Sequence, residues 1–254
     1  MHMSPYVGRW SRLVASEFLD WLGAPAIGEW LDIGCGTGAL CEVILKTRSP
    51  RRLMGVDPSE GFISFARRQV TDPRVSFQVG DVQALPVANG SFDAAVSGLV
   101  LNFIPDQAKA VCEMKRVTRP GGVVAGYVWD YAGEMQMMRR FWDAAVELDP
   151  AAIPLDEGRR FPLCRPEPLA AFFQSGPLDS VQVRAIDIPT VFKNFDDYWC
   201  PFLGGQAPAP GYCTSLPEDR RIALRERIRE HLSIRSDGAI HLMARAWGVR
   251  GTVG

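Results

Sequence analysis

The chain has 254 residues, of which 47% are hydrophobic and 22% are charged, and its 28 basic and 29 acidic residues leave a net charge of -1. This length accommodates one α/β domain with insertions or two small domains, and the composition excludes the disordered and fibrous classes. Because the charge is balanced, we expect neither nucleic acid nor an anionic membrane as a partner.

The cysteines give no sign of a metal site or a disulfide framework. All six are scattered, without a C-x-x-C pair or a cysteine-histidine cluster at metal-ligand spacing. We therefore expect reduced, mostly buried thiols and no metal. The N-terminal residues lack a basic segment followed by an apolar core, and no window approaches about 18 consecutive apolar residues. This pattern predicts a cytoplasmic protein without a transmembrane segment and leaves the oligomeric state open.

Predicted strands and helices alternate over the first 130 residues. A helix over 11–22 leads into a short strand at 30–34, a glycine-rich segment and a helix at 39–46. The alternation continues with strands at 51–57, 74–81, 91–100 and 121–130, and with helices at 59–70 and 106–118. Such alternation predicts a doubly wound, mostly parallel sheet with helices on both faces.

The second half of the chain has a looser pattern. It predicts a helix at 134–148, a strand at 179–189, a charged helix at 217–232 and a final strand at 239–251, with no strand between Thr190 and Asp237. The glycines and prolines of LGGQAPAPG (203–211) predict a bent covering loop rather than a packed element. Without an internal repeat or a low-complexity linker, we expect a single domain over 1–254.

The segment EWLDIGCGTGAL (29–40) joins the first predicted strand to the following helix. Gly34, Gly36 and Gly38 have G-x-G-x-G spacing, whereas a dinucleotide-binding loop has G-x-G-x-x-G. Asp32 lies two residues before Gly34, where a carboxylate would repel a pyrophosphate docked on the same turn. The loop therefore favours a ligand with positive charge, and S-adenosylmethionine, with its sulfonium and ammonium groups, is such a ligand.

Five motifs occur in a fixed order: LDIGCGTG, GVDPS, GDVQALP, FDAAVSGLVLNFIPD and RVTRPGG. Together they resemble the class I S-adenosylmethionine-dependent methyltransferases, in particular the small-molecule group that includes quinone-biosynthesis methyltransferases. The resemblance covers roughly residues 5–130, the expected cofactor-binding core. It implies a Rossmann-like seven-stranded sheet whose last strand is antiparallel, with S-adenosyl-L-methionine as cofactor and S-adenosyl-L-homocysteine as product.

The resemblance implies that residues after the first two strands hold the methionine and ribose parts of the cofactor. Asp32, Gly34 and Gly36 would surround the methionine half. Asp57, followed by Pro58, would accept the two ribose hydroxyls. An ordinary turn residue before proline is the alternative interpretation of Asp57.

Further cofactor contacts are implied on both sides of these motifs. Asp81 would accept the adenine amino group with Val82 beside the ring, and Leu99 would line the cofactor and open the substrate pocket. Tyr6 and Arg9 would close over the methionine end, although an N-terminus that frays or packs on the core is the alternative. Asp81 has the simpler interpretation of a turn former.

The sequence leaves the catalytic residue unassigned. Methyl transfer requires in-line approach to the methyl carbon, which positioning alone accelerates, so a dedicated base is not obligatory. Some family members place a histidine pair just after the fourth strand, where this chain has Asn102 and Phe103. Of the three histidines, only His241 on the predicted last strand is a candidate base.

Aromatic residues concentrate in the stretch that precedes the charged helix. Six lie between positions 192 and 212, where the average composition of 10% predicts about two. We expect 190–237 to form a lid over the methyl acceptor, and these residues to contact the acceptor: Asn102, Trp129, Tyr131, Tyr198 and Trp199. A small second core under a long loop is the alternative.

The sequence thus predicts a methyltransferase that acts on a small aromatic or apolar acceptor. A nicotinamide-dependent oxidoreductase is the alternative enzyme, disfavoured by Asp32 and the glycine spacing. A non-catalytic S-adenosylmethionine-binding protein is the alternative from another class.

Overall fold

A computed structural model of the chain describes residues 8–176, 178–204 and 207–254. Its first half alternates strands and helices, as predicted. The helices are α1 (Gly8–Leu22), α2 (Ala39–Thr47), α3 (Glu60–Gln69) and α4 (Gln107–Val117). The strands are β1 (Glu29–Ile33), β2 (Arg52–Asp57), β3 (Val75–Val79), β4 (Phe92–Gly98) and β5 (Thr118–Trp129).

The second half adds two long strands and more helices than the sequence predicts. Its elements are α5 (Gln136–Leu148), α6 (Glu157–Arg160), α7 (Pro166–Ser175), β6 (Leu178–Phe192), α8 (Phe195–Trp199), α9 (Pro208–Ser215), α10 (Glu218–His231) and β7 (Ile240–Val253). Short 3-10 turns cover Leu101–Phe103, Pro150–Leu155 and Cys200–Gly204.

Two predictions for this half are wrong. The strand β6 continues past Pro189 to Phe192, so Thr190 lies in a strand. Proline is tolerated here because β6 is an edge strand of the sheet. The predicted bent loop is helical from Pro208, since proline in the first turn of a helix removes no hydrogen bond that the helix needs.

The seven strands form one sheet in the order β3-β2-β1-β4-β5-β7-β6. The pairs β1–β2, β2–β3, β1–β4 and β4–β5 are parallel, and the last strands are antiparallel. This arrangement confirms the predicted Rossmann-like fold. Because the strand order reverses at β1, the carboxyl ends of β1, β2 and β4 meet at a switch point, the usual ligand site of such sheets.

The chain divides into two compact units. The glycine-loop unit comprises 11–128, 165–186 and 247–254, and the aromatic unit comprises the described residues up to Trp10 together with 129–164 and 187–246. Phe18 packs on Tyr127 in the core of the first unit, with ring centroids 4.8 Å apart. Phe141 stacks on Phe202 in the core of the second, with centroids 4.4 Å apart. The expectation of a single domain stays a prediction.

Two bulk properties also follow from the described residues. Four of the six cysteines are buried, which agrees with the expectation of mostly buried thiols, and their reduced state stays a prediction. None of the described helices combines the length and hydrophobicity needed to cross a membrane.

Candidate functional site

The turn after β1 requires glycine at the positions that the sequence singles out. Gly34, Gly36 and Gly38 have φ angles of +70°, +53° and +89°, a region that side chains disfavour. The N–H of Gly34 donates to the carbonyl oxygen of Val56 on β2 at 2.7 Å. A Cβ atom at Gly34 would lie 2.6 Å from the Val100 side chain. The turn is therefore bonded to β2 and packed closely against the segment that follows β4.

Asp57 ends β2 and fixes the glycine turn. Its Oδ2 atom accepts from the Gly36 N–H at 3.0 Å, and its Oδ1 atom accepts from the Ser59 N–H at 2.9 Å. The side chain is buried, while Pro58 beside it is exposed. The structure thus brings Asp57 to the glycine turn, and its ribose contact stays a prediction.

Asp32 is the most deeply buried acid of this turn, with 1% of its surface exposed. The Cys41 thiol donates to its Oδ2 atom at 3.1 Å, but its buried Oδ1 atom has no hydrogen-bond partner within the described part of the chain. Burial, with a smaller contribution from the charge of Asp57, raises the pKa of Asp32 to about 7, although the Cys41 hydrogen bond acts in the opposite direction. A buried acceptor without a partner is rare and destabilising.

Among the described residues, the titratable groups that act on the Asp32 carboxyl are all acids. Besides Asp57, they are the thiols of Cys35 and Cys41 and the hydroxyl of Tyr127. Burial raises the pKa of both thiols and of the tyrosine, so these three groups are neutral near pH 7. No lysine or arginine of the described residues contributes to the pKa shift of Asp32. Within the described residues, the charges that act on Asp32 are therefore negative.

The end of β4 has an unusual backbone. Leu99 has a φ angle of +63°, a left-handed conformation that is rare for a residue with a side chain. Its N–H donates to the carbonyl oxygen of Tyr127 at 2.8 Å. The 3-10 turn that follows carries Asn102, which is 8% exposed and whose buried Nδ2 atom has no hydrogen-bond partner in the part of the chain that the structure describes. The sequence gives no signal for either feature.

Asp81 and Val82 follow β3 at the same edge of the sheet. The exposed Asp81 carboxylate accepts from the Gln83 N–H at 2.9 Å and from the Gln83 side-chain amide at 3.2 Å. These hydrogen bonds lower the pKa of Asp81. Val82 is partly buried. The contacts of Asp81 are those of a turn residue, and its role toward adenine stays a prediction.

Four of the predicted acceptor contacts belong to the aromatic unit. Tyr198 is fully buried, and its hydroxyl donates to the carbonyl oxygen of Met137 at 2.8 Å. Trp199 and Trp129 are buried as well, whereas Tyr131 is partly exposed. Tyr198 and Trp199 both contact the Phe202 ring, with centroids 5.5 Å and 6.1 Å away. The contact of all four residues with an acceptor stays a prediction.

Arg9 belongs to the aromatic unit too. Its guanidinium donates to Asp197 at 2.9 Å and lies over the rings of Trp10 and Phe192 at 4.3 Å and 4.7 Å. Its Nε and Nη2 atoms are buried without a hydrogen-bond partner among the described residues. Tyr6 lies outside the described residues. The cofactor contacts of both residues stay predictions.

One buried acid escapes the sequence analysis. Glu157 is 3% exposed, accepts a hydrogen bond from the Trp142 indole N–H and has its pKa raised to about 7 by burial. Nothing in its charged sequence neighbourhood indicates such burial.

Both described histidines, His231 and the candidate base His241, are exposed.

Residues 31–126 match the family model described as "Methyltransferase domain". Over 124 residues the chain is 38% identical to an uncharacterized 37.1 kDa protein in transposon TN4556 of Streptomyces fradiae, a match that covers 47% of this chain and 36% of that protein. Over 114 residues it is 36% identical to the demethylmenaquinone methyltransferase of Renibacterium salmoninarum, with 45% of each chain covered. The chain thus matches less than half the length of these two relatives.

The fold has solved counterparts. The crystal structure of the YcgJ protein from Bacillus subtilis superposes with a TM-score of 0.62 and 18% sequence identity, covering 94% of this chain and 97% of that one. At this identity the similarity establishes the fold alone.

Proposed function

The chain contains a methyltransferase domain of the class I S-adenosylmethionine-dependent family, and we propose that it transfers a methyl group from S-adenosylmethionine to a small aromatic or apolar acceptor. The observation that carries this proposal is the buried carboxyl of Asp32, whose Oδ1 atom has no partner within the described chain. An ionised carboxyl there attracts a cation and repels a phosphate.

The residues around Asp32 fit a cationic nucleoside cofactor. When bound, S-adenosylmethionine supplies a methyl group on a positively charged sulfur. Asp32 offers the unsatisfied acceptor, and its neighbours Cys41 and Tyr127 are neutral, so they do not neutralise its carboxylate. A nicotinamide cofactor would instead bring a pyrophosphate to this acidic turn, which argues against the oxidoreductase alternative.

We assign the nucleoside part to the residues after β2 and β3. Each Asp57 oxygen already accepts one backbone N–H, from Gly36 or Ser59, and retains a lone pair for a ribose hydroxyl. Asp81 is exposed and ionised, so it can accept from an adenine amino group beside Val82.

We assign the apolar part of the acceptor to the aromatic segment 190–237, the predicted lid. We test this assignment on Trp199, because it belongs to the segment and is buried among its aromatic residues. Its ring contacts Phe202, with centroids 6.1 Å apart. In this assignment Trp129 and Tyr131 contribute to the same apolar surface. Binding there would exclude water from the acceptor and hold it for attack.

The chain's own residues contribute orientation more than proton transfer. Asn102 stands where some family members have histidine, and an amide accepts no proton at neutral pH. Both described histidines are exposed. We therefore propose an acceptor whose nucleophilic atom needs little activation, such as an enolic carbon or an acidic phenol.

The test is formation of S-adenosylhomocysteine. Purified protein receives S-adenosylmethionine and a panel of small phenols, enols and apolar aromatics, and the product is measured by mass spectrometry. We expect turnover with at least one phenol or enol. Tight S-adenosylhomocysteine binding without turnover on any compound would instead favour the non-catalytic alternative.

The lid assignment has its own variant. Trp199→Ala should retain S-adenosylhomocysteine affinity and lose turnover on the acceptor found above. Leu203→Ala, in the same segment but 46% exposed, is the matched control and should retain both. Unchanged turnover in a stably folded Trp199→Ala protein would refute the assignment.

A further inference from the structure

A single polar side chain interrupts an apolar segment after β4. Residues 99–104 read LVLNFI, and Asn102 is their only polar residue. More than nine-tenths of Asn102 is buried, yet its Nδ2 atom donates no hydrogen bond within the described chain. Buried amide N–H groups are nearly always paired, because an unpaired one is destabilising. A partner from outside the chain would explain why the amide is kept there.

The segment lies beside the glycine turn. Its strand, β4, runs parallel to β1, with Val96 in register with Asp32. The side chain of Val100 comes so close to Gly34 that a Cβ atom there would be 2.6 Å away. Leu99, which begins the segment, is held in a left-handed conformation. Strained backbone of this kind persists where the surrounding structure enforces it, which is common at ligand sites.

We infer that the Asn102 side-chain amide donates a hydrogen bond to an oxygen atom of the methyl acceptor. The acceptor is then a largely apolar molecule with a hydroxyl or carbonyl oxygen at or beside the methylated atom. This inference rests on the proposed methyltransferase function. The partner must be a hydrogen-bond acceptor, since Nδ2 can only donate, and a hydroxyl or carbonyl oxygen is such an acceptor. We assign an apolar body to the acceptor because every other residue of 99–104 is apolar.

This contact has a chemical consequence. An amide N–H stabilises negative charge on a phenolate or enolate oxygen without exchanging a proton. Asn102 would therefore orient the acceptor and favour its ionised form. Apolar molecules of the same shape without the oxygen would leave the amide unpaired and bind more weakly.

The test compares two probes that differ by one oxygen atom. Calorimetry measures binding of 1-naphthol and of naphthalene to the protein saturated with S-adenosylhomocysteine. We expect wild-type protein to bind 1-naphthol about tenfold more tightly. Asn102→Leu should reduce this ratio to about one without lowering the melting temperature, since it removes an unsatisfied N–H. Phe103→Leu, which removes no donor, should keep the ratio.

The outcomes separate the inference from the function on which it rests. Equal binding of the two probes to wild-type protein, a preference that survives in Asn102→Leu, or no binding of 1-naphthol would each overturn the inference. A large loss of S-adenosylhomocysteine affinity in Asn102→Leu would assign the amide to the cofactor and overturn it as well. Failure of wild-type protein to bind S-adenosylhomocysteine would refute the proposed function itself.

Discussion

Acidic pH should weaken binding of S-adenosylmethionine, because Asp32 must be ionised to attract a cation. The pKa of Asp32 in the ligand-free protein is raised to about 7, mainly by burial and further by the charge of Asp57. Below that pH the carboxyl is mostly protonated, so binding must first expel a proton. Its unsatisfied Oδ1 atom is the acceptor that the ligand would meet.

The size of the effect follows from the pKa. If only the ionised carboxylate binds, the dissociation constant rises about fivefold from pH 7 to pH 6 and about fiftyfold from pH 7 to pH 5. At pH 6, binding releases about 0.9 proton per ligand. The amino group of the ligand, with a pKa near 8, keeps its charge over this interval, so the change reports on the protein.

Calorimetric titrations at pH 5, 6 and 7 measure both quantities. At each pH they are repeated in two buffers of different ionisation enthalpy, which gives the number of protons released. The isosteric variant Asp32→Asn is the control, and its affinity should be weaker and independent of pH. A wild-type dissociation constant that stays constant from pH 5 to 7 without proton release would show that the ligand does not need an ionised Asp32. An unchanged pH dependence in Asp32→Asn would show the same.

The remaining predictions concern stability. Gly34→Ala should destabilise the protein by about 3 kcal/mol, because a left-handed φ angle and a clash with Val100 act together. Gly36→Ala should lose only about 1–2 kcal/mol, because no described atom lies near its Cβ position. Urea unfolding measures the free energy of unfolding of both variants, and equal losses would contradict the clash. Tyr198→Phe should lose about 0.5–1.5 kcal/mol, since it removes the buried hydrogen bond to the Met137 carbonyl, while S-adenosylhomocysteine affinity stays constant. A neutral substitution would show that this hydrogen bond adds nothing.

Without ligand, stability should also fall as pH rises. The carboxyls of Asp32 and Glu157 have pKa values raised to about 7, so folding favours their protonated forms. Their contribution is full near pH 4 and is lost as pH rises toward and past 7. Asp32→Asn should flatten this part of the pH profile of the melting temperature. An identical slope in the variant would show that Asp32 does not titrate in this range.

Local sequence signals predict the cofactor half of the chain well. The strand, glycine turn and helix around Gly34 are specified by residues within a short segment, and Asp57 ends the second strand where the motif places it. The second half depends more on context. Proline ends a strand in the middle of a sheet but not at its edge, and Pro208 begins a helix instead of a loop. The local sequence pattern does not show whether a strand lies at the edge of the sheet or whether a proline begins a helix.

The site shows the same division. Residue types and spacing select Asp32 as a charged group at the turn, but its missing partner and raised pKa arise from side chains on other elements. The left-handed Leu99 and the unpaired amide of Asn102 likewise depend on packing between strands that are distant in sequence. Burial of Glu157 has no local signal for the same reason.

The most direct test of the central claim is titration of the purified protein with S-adenosylhomocysteine, S-adenosylmethionine and NADH, alongside Asp57→Ala. We predict micromolar binding of S-adenosylhomocysteine and S-adenosylmethionine and no binding of NADH. We also predict that an Asp57→Ala protein that still melts cooperatively loses binding of the first two. Binding of NADH alone, or of none of the three, would contradict it.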